Sequence, residues 1–257
     1  MSIGMMAELP LHYSPWTSMQ TPFVSKPIKR SAFLDVYRGS AVLLMIIFHF
    51  FWDLQNFGFI EFSVYDPFWV HFRSLILTLF LTAIGWSTYI TLTKTKRPSF
   101  WKRDLKLFIS AGAISLATYF AMPNQWIYFG ILHFIFVASL LIRPIARWPL
   151  GCALLGAAIT LTYQSTDWLF FPNAFSTITD YIALPKRTLD IVFPFPWIGV
   201  VLIGPLLGYL NWHKCPTPEH AITHVLAFMG RYALPIYLIH QVFLFSLVAS
   251  VKMVLTL

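Results

Sequence analysis

The segment RSAFLDVYRGSAVLLMIIFHFFWDLQNFG, residues 30 to 58, sets four ionisable side chains in an otherwise apolar stretch: Asp35, Arg38, His49 and Asp53. At about 100 degrees per helical residue, Asp35 and Asp53 return to the same angle. Arg38 and His49 fall within about 20 degrees of whole turns, and His49 and Asp53 form an i,i+4 pair. The four make one polar stripe, with Arg38 flanking at about 60 degrees or less. Charges facing hydrocarbon are costly, so the stripe must face a bundle interior. Histidine is the side chain whose proton moves near neutral pH, and a neighbouring carboxylate can fix its tautomer and strengthen it as a base. His49 with Asp53 thus has the makings of a general base. Arg38, about 16 Å of helical rise away, suits a phosphate or an ion pair with Asp35. On these residues alone three readings stay open: intramembrane catalysis, a transporter or flippase for an anionic solute or lipid, and a structural network fastening the helix to its neighbours.

Further polar residues interrupt other apolar runs. His240 in LPIYLIHQ has Tyr237 one turn before it and Gln241 beside it, three polar groups on one side of an apolar helix. His133 sits in YFGILHFIF, where it either packs as a hydrogen-bonding residue or joins a site. His71 and Arg73 stand near the outer start of an apolar run, positioned to snorkel to the interface or to meet an anionic acceptor. Lys94, Lys96, Arg97, Lys102, Arg103 and Lys106 form a dense basic run, first a topology signal and second a docking surface for an anionic cofactor or lipid. His220 and His224 have metal-sharing spacing, yet no third ligand is evident and no metal is expected. A glycine-rich nucleotide loop, an HExxH helix, a GxSxG elbow and a spaced cysteine quartet are all missing, which argues against ATPase, zinc protease, lipase and iron–sulfur chemistry.

The elements that position these residues must be membrane helices. The chain is 58% hydrophobic and only 11% charged, too few charges to cover a soluble surface. Its runs are long and almost wholly apolar, unlike the period-two segments of a barrel, so an all-α polytopic bundle is expected. Seven crossings are read: Phe33 to Asn56, Phe68 to Leu92, Asp104 to Ala121, Trp126 to Ile142, Trp148 to Tyr163, Val192 to Leu210 and Tyr232 to Val254. The apolar piece Ala221 to Met229 would make eight if it also spanned. The net charge of +8 lies in short loops between apolar runs, the pattern of topology determinants and not of a nucleic-acid partner, and it puts the amino terminus in the cytoplasm. Residues 1–30 read as a flexible cytoplasmic leader, 31–257 as a single transmembrane domain, and 164–191 as a long outer loop suited to a lid. Cys152 and Cys215 fall on the cytoplasmic side, where no disulfide is expected.

Five pieces, in order along residues 30 to 250, carry a resemblance: LDVYRG at 34 to 39 with His49 following, AIGWSTYI at 83 to 90, FGILH at 129 to 133, FPWIG at 195 to 199 and GRYALPIYLIHQ at 230 to 241. With them the chain resembles the heparan-alpha-glucosaminide N-acetyltransferase catalytic domain family in a short bacterial form, and more distantly the broad group of membrane acyltransferases. The resemblance implies an acyl-CoA donor, typically acetyl-CoA, offered from the cytoplasm, and a glycan or lipid-linked acceptor reached within or beyond a bacterial inner membrane. It matches His49 to the catalytic histidine of the wider group and Arg38 to a motif arginine on the donor side, while His133, His240 and Gln241 match polar positions. The expected chemistry is acyl transfer to a hydroxyl or amine. Arg38, Asp35, Lys102, Arg103 and Lys106 would serve the CoA phosphates. His49 would act as base oriented by Asp53, or through a transient acyl-histidine, and His240, Tyr237 or His133 would steady the oxyanion. His71, Arg73, Tyr237 and Gln241 are the candidate acceptor contacts. The chain has fewer crossings than the long human-type enzymes and no large lumenal domain, so a homodimer or partner subunit is a candidate for completing a donor tunnel.

Overall fold

Ser31 starts the first helix by accepting a hydrogen bond from the Leu34 N–H, and the same hydroxyl donates to the His213 carbonyl at 2.7 Å. The computed structural model describes residues 30–95, 98–169, 184–185 and 187–255. Eight α-helices lie among them: α1 Ala32–Asn56, α2 Pro67–Lys94, α3 Trp101–Ala121, α4 Ile131–Ile142, α5 Pro149–Ser165, α6 Trp197–Tyr209, α7 Ala221–Arg231 and α8 Ala233–Leu255. A single 3-10 turn, Trp212–Lys214, joins α6 to the segment before α7. The leader, Lys96 and Arg97, and most of the 164–191 loop lie outside the described residues.

The fold is an all-α membrane bundle, and α1, α2, α3 and α8 are the helices long and apolar enough to cross a bilayer by themselves. Two segments read as full crossings are shorter as helices. The fourth begins at Ile131 instead of Trp126, because residues 125 to 129 are non-helical and hydrogen-bonded elsewhere: Leu189 N–H to the Gln125 carbonyl at 3.0 Å, Thr188 Oγ1 to that of Trp126 at 2.9 Å, and Val192 N–H to that of Phe129 at 3.3 Å. A helix of twelve residues spans only about 18 Å, less than the hydrocarbon thickness of a bilayer. The sixth begins at Trp197 instead of Val192, after Pro194 and the cis Phe195–Pro196 bond.

Glycines set the closest approaches. A Cβ on Gly39 of α1 would stand 1.8 Å from the Leu226 carbonyl oxygen of α7, and one on Gly230 would stand 1.8 Å from that of Asp35. Backbone therefore meets backbone where α7 lies on α1, the small-residue packing by which helices associate without a hydrophobic drive. Gly85 of α2 and Gly204 of α6 repeat the device, with Val201 and Thr82 carbonyls each 2.2 Å from the missing Cβ. The Ala221 to Met229 piece is thus a helix held against α1. Between these contacts the interior is filled by Leu81, Trp86, Ala138, Ile142 and Val201. By contrast α3 buries only Ser110 and Ala111 and packs on α4.

Candidate functional site

In the first turns of α1, Asp35 is buried and gathers two arginines. Arg30 donates to both carboxylate oxygens, at 2.6 and 2.9 Å, and Arg38 stands 3.7 Å away. Arg38 also donates to the Ser87 hydroxyl of α2. Tying Arg38 down on two sides fixes its guanidinium against a cavity of about 990 Å³ between α2, α3, α4 and α8. Arg30, Arg38, Lys102, Arg103, Lys106 and Arg231 all line that cavity. The Arg103 guanidinium lies over the Phe100 ring at 5.0 Å, and its Nε and Nη2 are buried without a hydrogen-bond acceptor among the described residues. Asp104 Oδ1, which binds Arg143 at 2.5 Å, stands 3.8 Å from the Arg103 Nε, so one carboxylate is shared between two guanidinium groups. The cluster carries more positive than negative charge, and its open buried donors can accept an anion.

Away from the cations the cavity becomes apolar, with Phe80, Ile84, Leu107, Ile131 and Ile135 in its wall, and Tyr237 of α8 belongs to the same wall. The Tyr237 ring is 5.6 Å from that of His240. His240 in turn meets His49 of α1 edge to face, with ring centroids 4.7 Å apart. Each imidazole is held by a carbonyl of its own helix, His49 Nδ1 by Met45 at 2.9 Å and His240 Nδ1 by Tyr237 at 2.7 Å. A carbonyl can only accept, so both Nδ1 atoms carry the proton and both Nε2 atoms carry a lone pair. Among the described residues neither Nε2 has a partner, and that of His240 is buried.

One turn beyond, Gln241 donates to Asp53 Oδ1 at 2.9 Å, leaving Asp53 Oδ2 and Gln241 Oε1 buried and without a partner among the described residues. Asp53 is therefore committed to Gln241 and does not orient His49; the Met45 carbonyl does that. The i,i+4 spacing permitted the contact, but the His49 ring turns its Nδ1 back along α1. With His240 Nε2, three buried polar atoms stand open along the α1–α8 seam, a place for the polar group of a second substrate.

His133 stands apart from this seam. Its Nδ1 accepts from the Gly130 N–H at 3.2 Å and its Nε2 meets the Ser115 hydroxyl at 3.0 Å, so it fastens the start of α4 to α3. His71 and Arg73 are exposed on the early turns of α2 and line no part of the cavity. Sequence reasoning missed Arg30, Ser87 and Arg231, which line the cavity beside Arg38, and Asp190, whose Oδ2 accepts from the Ile131 N–H at 2.8 Å where α4 begins at the cavity wall. Among the described residues no three His, Cys, Asp or Glu side chains converge on a metal position.

A family model described as heparan-alpha-glucosaminide N-acetyltransferase, catalytic, matches residues 30–242. No curated protein and no solved structure matches the chain.

Proposed function

We propose that this chain, which belongs to the heparan-alpha-glucosaminide N-acetyltransferase catalytic family and is an acyl-CoA-dependent acyltransferase, moves an acetyl group onto a hydroxyl or amine of a glycan or lipid-linked acceptor, with His49 as general base. The reading takes the amino terminus as cytoplasmic, so that CoA enters among Arg30, Arg38, Lys102, Arg103, Lys106 and Arg231. The observation that carries it is one continuous arrangement: a cation-lined cavity whose apolar wall ends in Tyr237, and Tyr237 against His240, which touches His49.

The phosphates of CoA bind the cations, with Arg38 steadied by Asp35 and Ser87. The pantetheine arm follows the apolar wall toward Tyr237. His49 Nε2 takes the acceptor proton as the acceptor oxygen or nitrogen attacks the thioester carbon. The Tyr237 hydroxyl donates to the oxyanion that forms. The C–S bond then breaks, and the proton on His49 passes to the leaving thiolate. Asp53 and Gln241 hold the acceptor's remaining polar groups in the seam. His49 does not line the cavity, so the Tyr237 side chain must swing or the thioester must pass it for the two to meet.

The test is purified protein in lipid nanodiscs given radiolabelled acetyl-CoA with a mixed pool of sugars and glycolipids. Label arriving on an acceptor, with CoA released in equal amount, supports the reading. Absence of both transfer and CoA binding by calorimetry overturns it.

A further inference from the structure

The cavity that takes the donor is not closed on its bilayer side. Ile109 of α3 and Ile239 of α8 both line it, yet they are 59% and 64% exposed. Each also belongs to an outward-facing stripe of its own helix: Ile109 with Leu105, Phe108 and Leu116, Ile239 with Val242 and Phe243. The two isoleucines therefore stand where the cavity wall becomes the outer surface. α3 leans on α4 and has no comparable packing against α8 among the described residues, so no helix-to-helix contact seals the cavity wall between Ile109 and Ile239, and such a gap would face hydrocarbon in a bilayer. It lies in the apolar part of the cavity, two residues along α8 from Tyr237 and next to His240, the depth at which the thioester must sit if the reaction above is correct.

We infer that this gap lets the acyl tail of the donor leave the cavity sideways into the bilayer, so that the enzyme accepts long-chain acyl-CoA esters as well as acetyl-CoA; the inference rests on the acyl-CoA reading of the preceding section. The acyl carbonyl carbon exchanges its bond to CoA sulfur for one to the acceptor oxygen or nitrogen. The acceptor proton travels through the imidazole to the CoA thiolate. The alkyl tail takes no part in either exchange, so its length is limited only by the space around it. A sealed pocket would reject a tail of many methylenes, whereas a gap into hydrocarbon gives each added methylene the environment it already prefers. A lipid acceptor is the less suitable occupant, because its polar reactive group would have to be drawn past Ile109 and Ile239 to reach the imidazoles.

The experiment compares acetyl-, octanoyl- and palmitoyl-CoA in nanodiscs, measuring CoA release by the wild type, by Ile109→Trp with Ile239→Trp, and by Ile109→Ala with Ile239→Ala. The wild type should turn over all three esters. The tryptophan pair, which fills the gap, should lower the palmitoyl-to-acetyl rate ratio at least tenfold, and the alanine pair should hold or raise it. Turnover of acetyl-CoA with none of palmitoyl-CoA overturns the inference and leaves the acyltransferase reading intact, as does a tryptophan pair that leaves the ratio unchanged. If no ester is bound or turned over, the acyl-CoA reading fails and the tail route fails with it.

Discussion

The imidazoles of His49 and His240 cross edge to face with their planes at 84°, and each turns its Nδ1 into the carbonyl of the preceding helical turn. Two bases on two helices thus share one tautomer and present their Nε2 atoms at one seam, although 191 residues separate them in the chain. Of the two rings His49 keeps the larger solvent-exposed fraction, and in the proposed mechanism it is the one that meets the acceptor.

Replacing either histidine should therefore damage the same step. His240→Ala should lower kcat by about 10²-fold with little change in KM for the donor. The double variant His49→Ala with His240→Ala should lose little more than His49→Ala alone, because residues acting as a unit are not additive. Steady-state kinetics on purified variants check this, and fully multiplicative losses would separate the two roles.

The donor cations should act on binding. Arg103→Ala removes a guanidinium whose Nε and Nη2 lack a hydrogen-bond acceptor among the described residues, Asp104 lying 3.8 Å away, and a lost charge-assisted hydrogen bond is worth about 1.5–3 kcal/mol. KM for acetyl-CoA should rise about 10-fold or more with kcat held. Added salt should weaken wild-type binding more than that of the variant. Calorimetry across a salt series reads both effects.

Much of the site was legible in the sequence, because an intramembrane charge is rare enough to mark itself. The stripe on α1 and the Tyr237, His240 and Gln241 trio were both found that way; His49, Asp53, His240 and Gln241 lie in the α1–α8 seam, whereas Arg38 and Tyr237 line the cavity. Of the three readings the stripe left open, family membership selects the acyltransferase. What could not be read was partnership. Asp53 at i+4 from His49 is a permitted neighbour, yet the choice of Gln241 depends on how α8 lies along α1. His133, the lone histidine of its apolar run, was a candidate beside the better-accompanied His240, and the Ser115 hydroxyl and Gly130 N–H occupy both of its ring nitrogens. The late start of α4 escaped notice because hydropathy over 126–142 does not register that loop 187–192 captures the backbone of residues 125 to 129.

Backbone contact between α1 and α7 gives a packing test. A methyl on Gly39 would have to displace the Leu226 carbonyl from 1.8 Å, and overpacking of this kind costs about 1–3 kcal/mol or more. Gly39→Ala and Gly230→Ala should each lower the thermal unfolding midpoint in detergent, whereas Gly112→Ala, where a Cβ meets nothing within 4 Å, should not.

The turn after α6 carries a pH response. Lys94 donates to His213 Nε2, and burial, with the charges of Lys94 and Lys214, holds that imidazole below its ordinary value. A depressed histidine favours the folded state fully above its unfolded value and loses that contribution as pH falls below about 6.5. Thermal stability of the wild type should decline between about pH 7 and pH 5. His213→Gln, which keeps an acceptor for Lys94 without titrating, should flatten that decline.

The most direct test of His49 as the base is the single-turnover rate of acetyl transfer from saturating radiolabelled acetyl-CoA, wild type against His49→Ala, with CoA affinity measured on the same samples. A fall of about 10²–10⁴-fold at unchanged CoA affinity is the expected result. A variant that transfers acetyl at the wild-type rate would contradict the assignment.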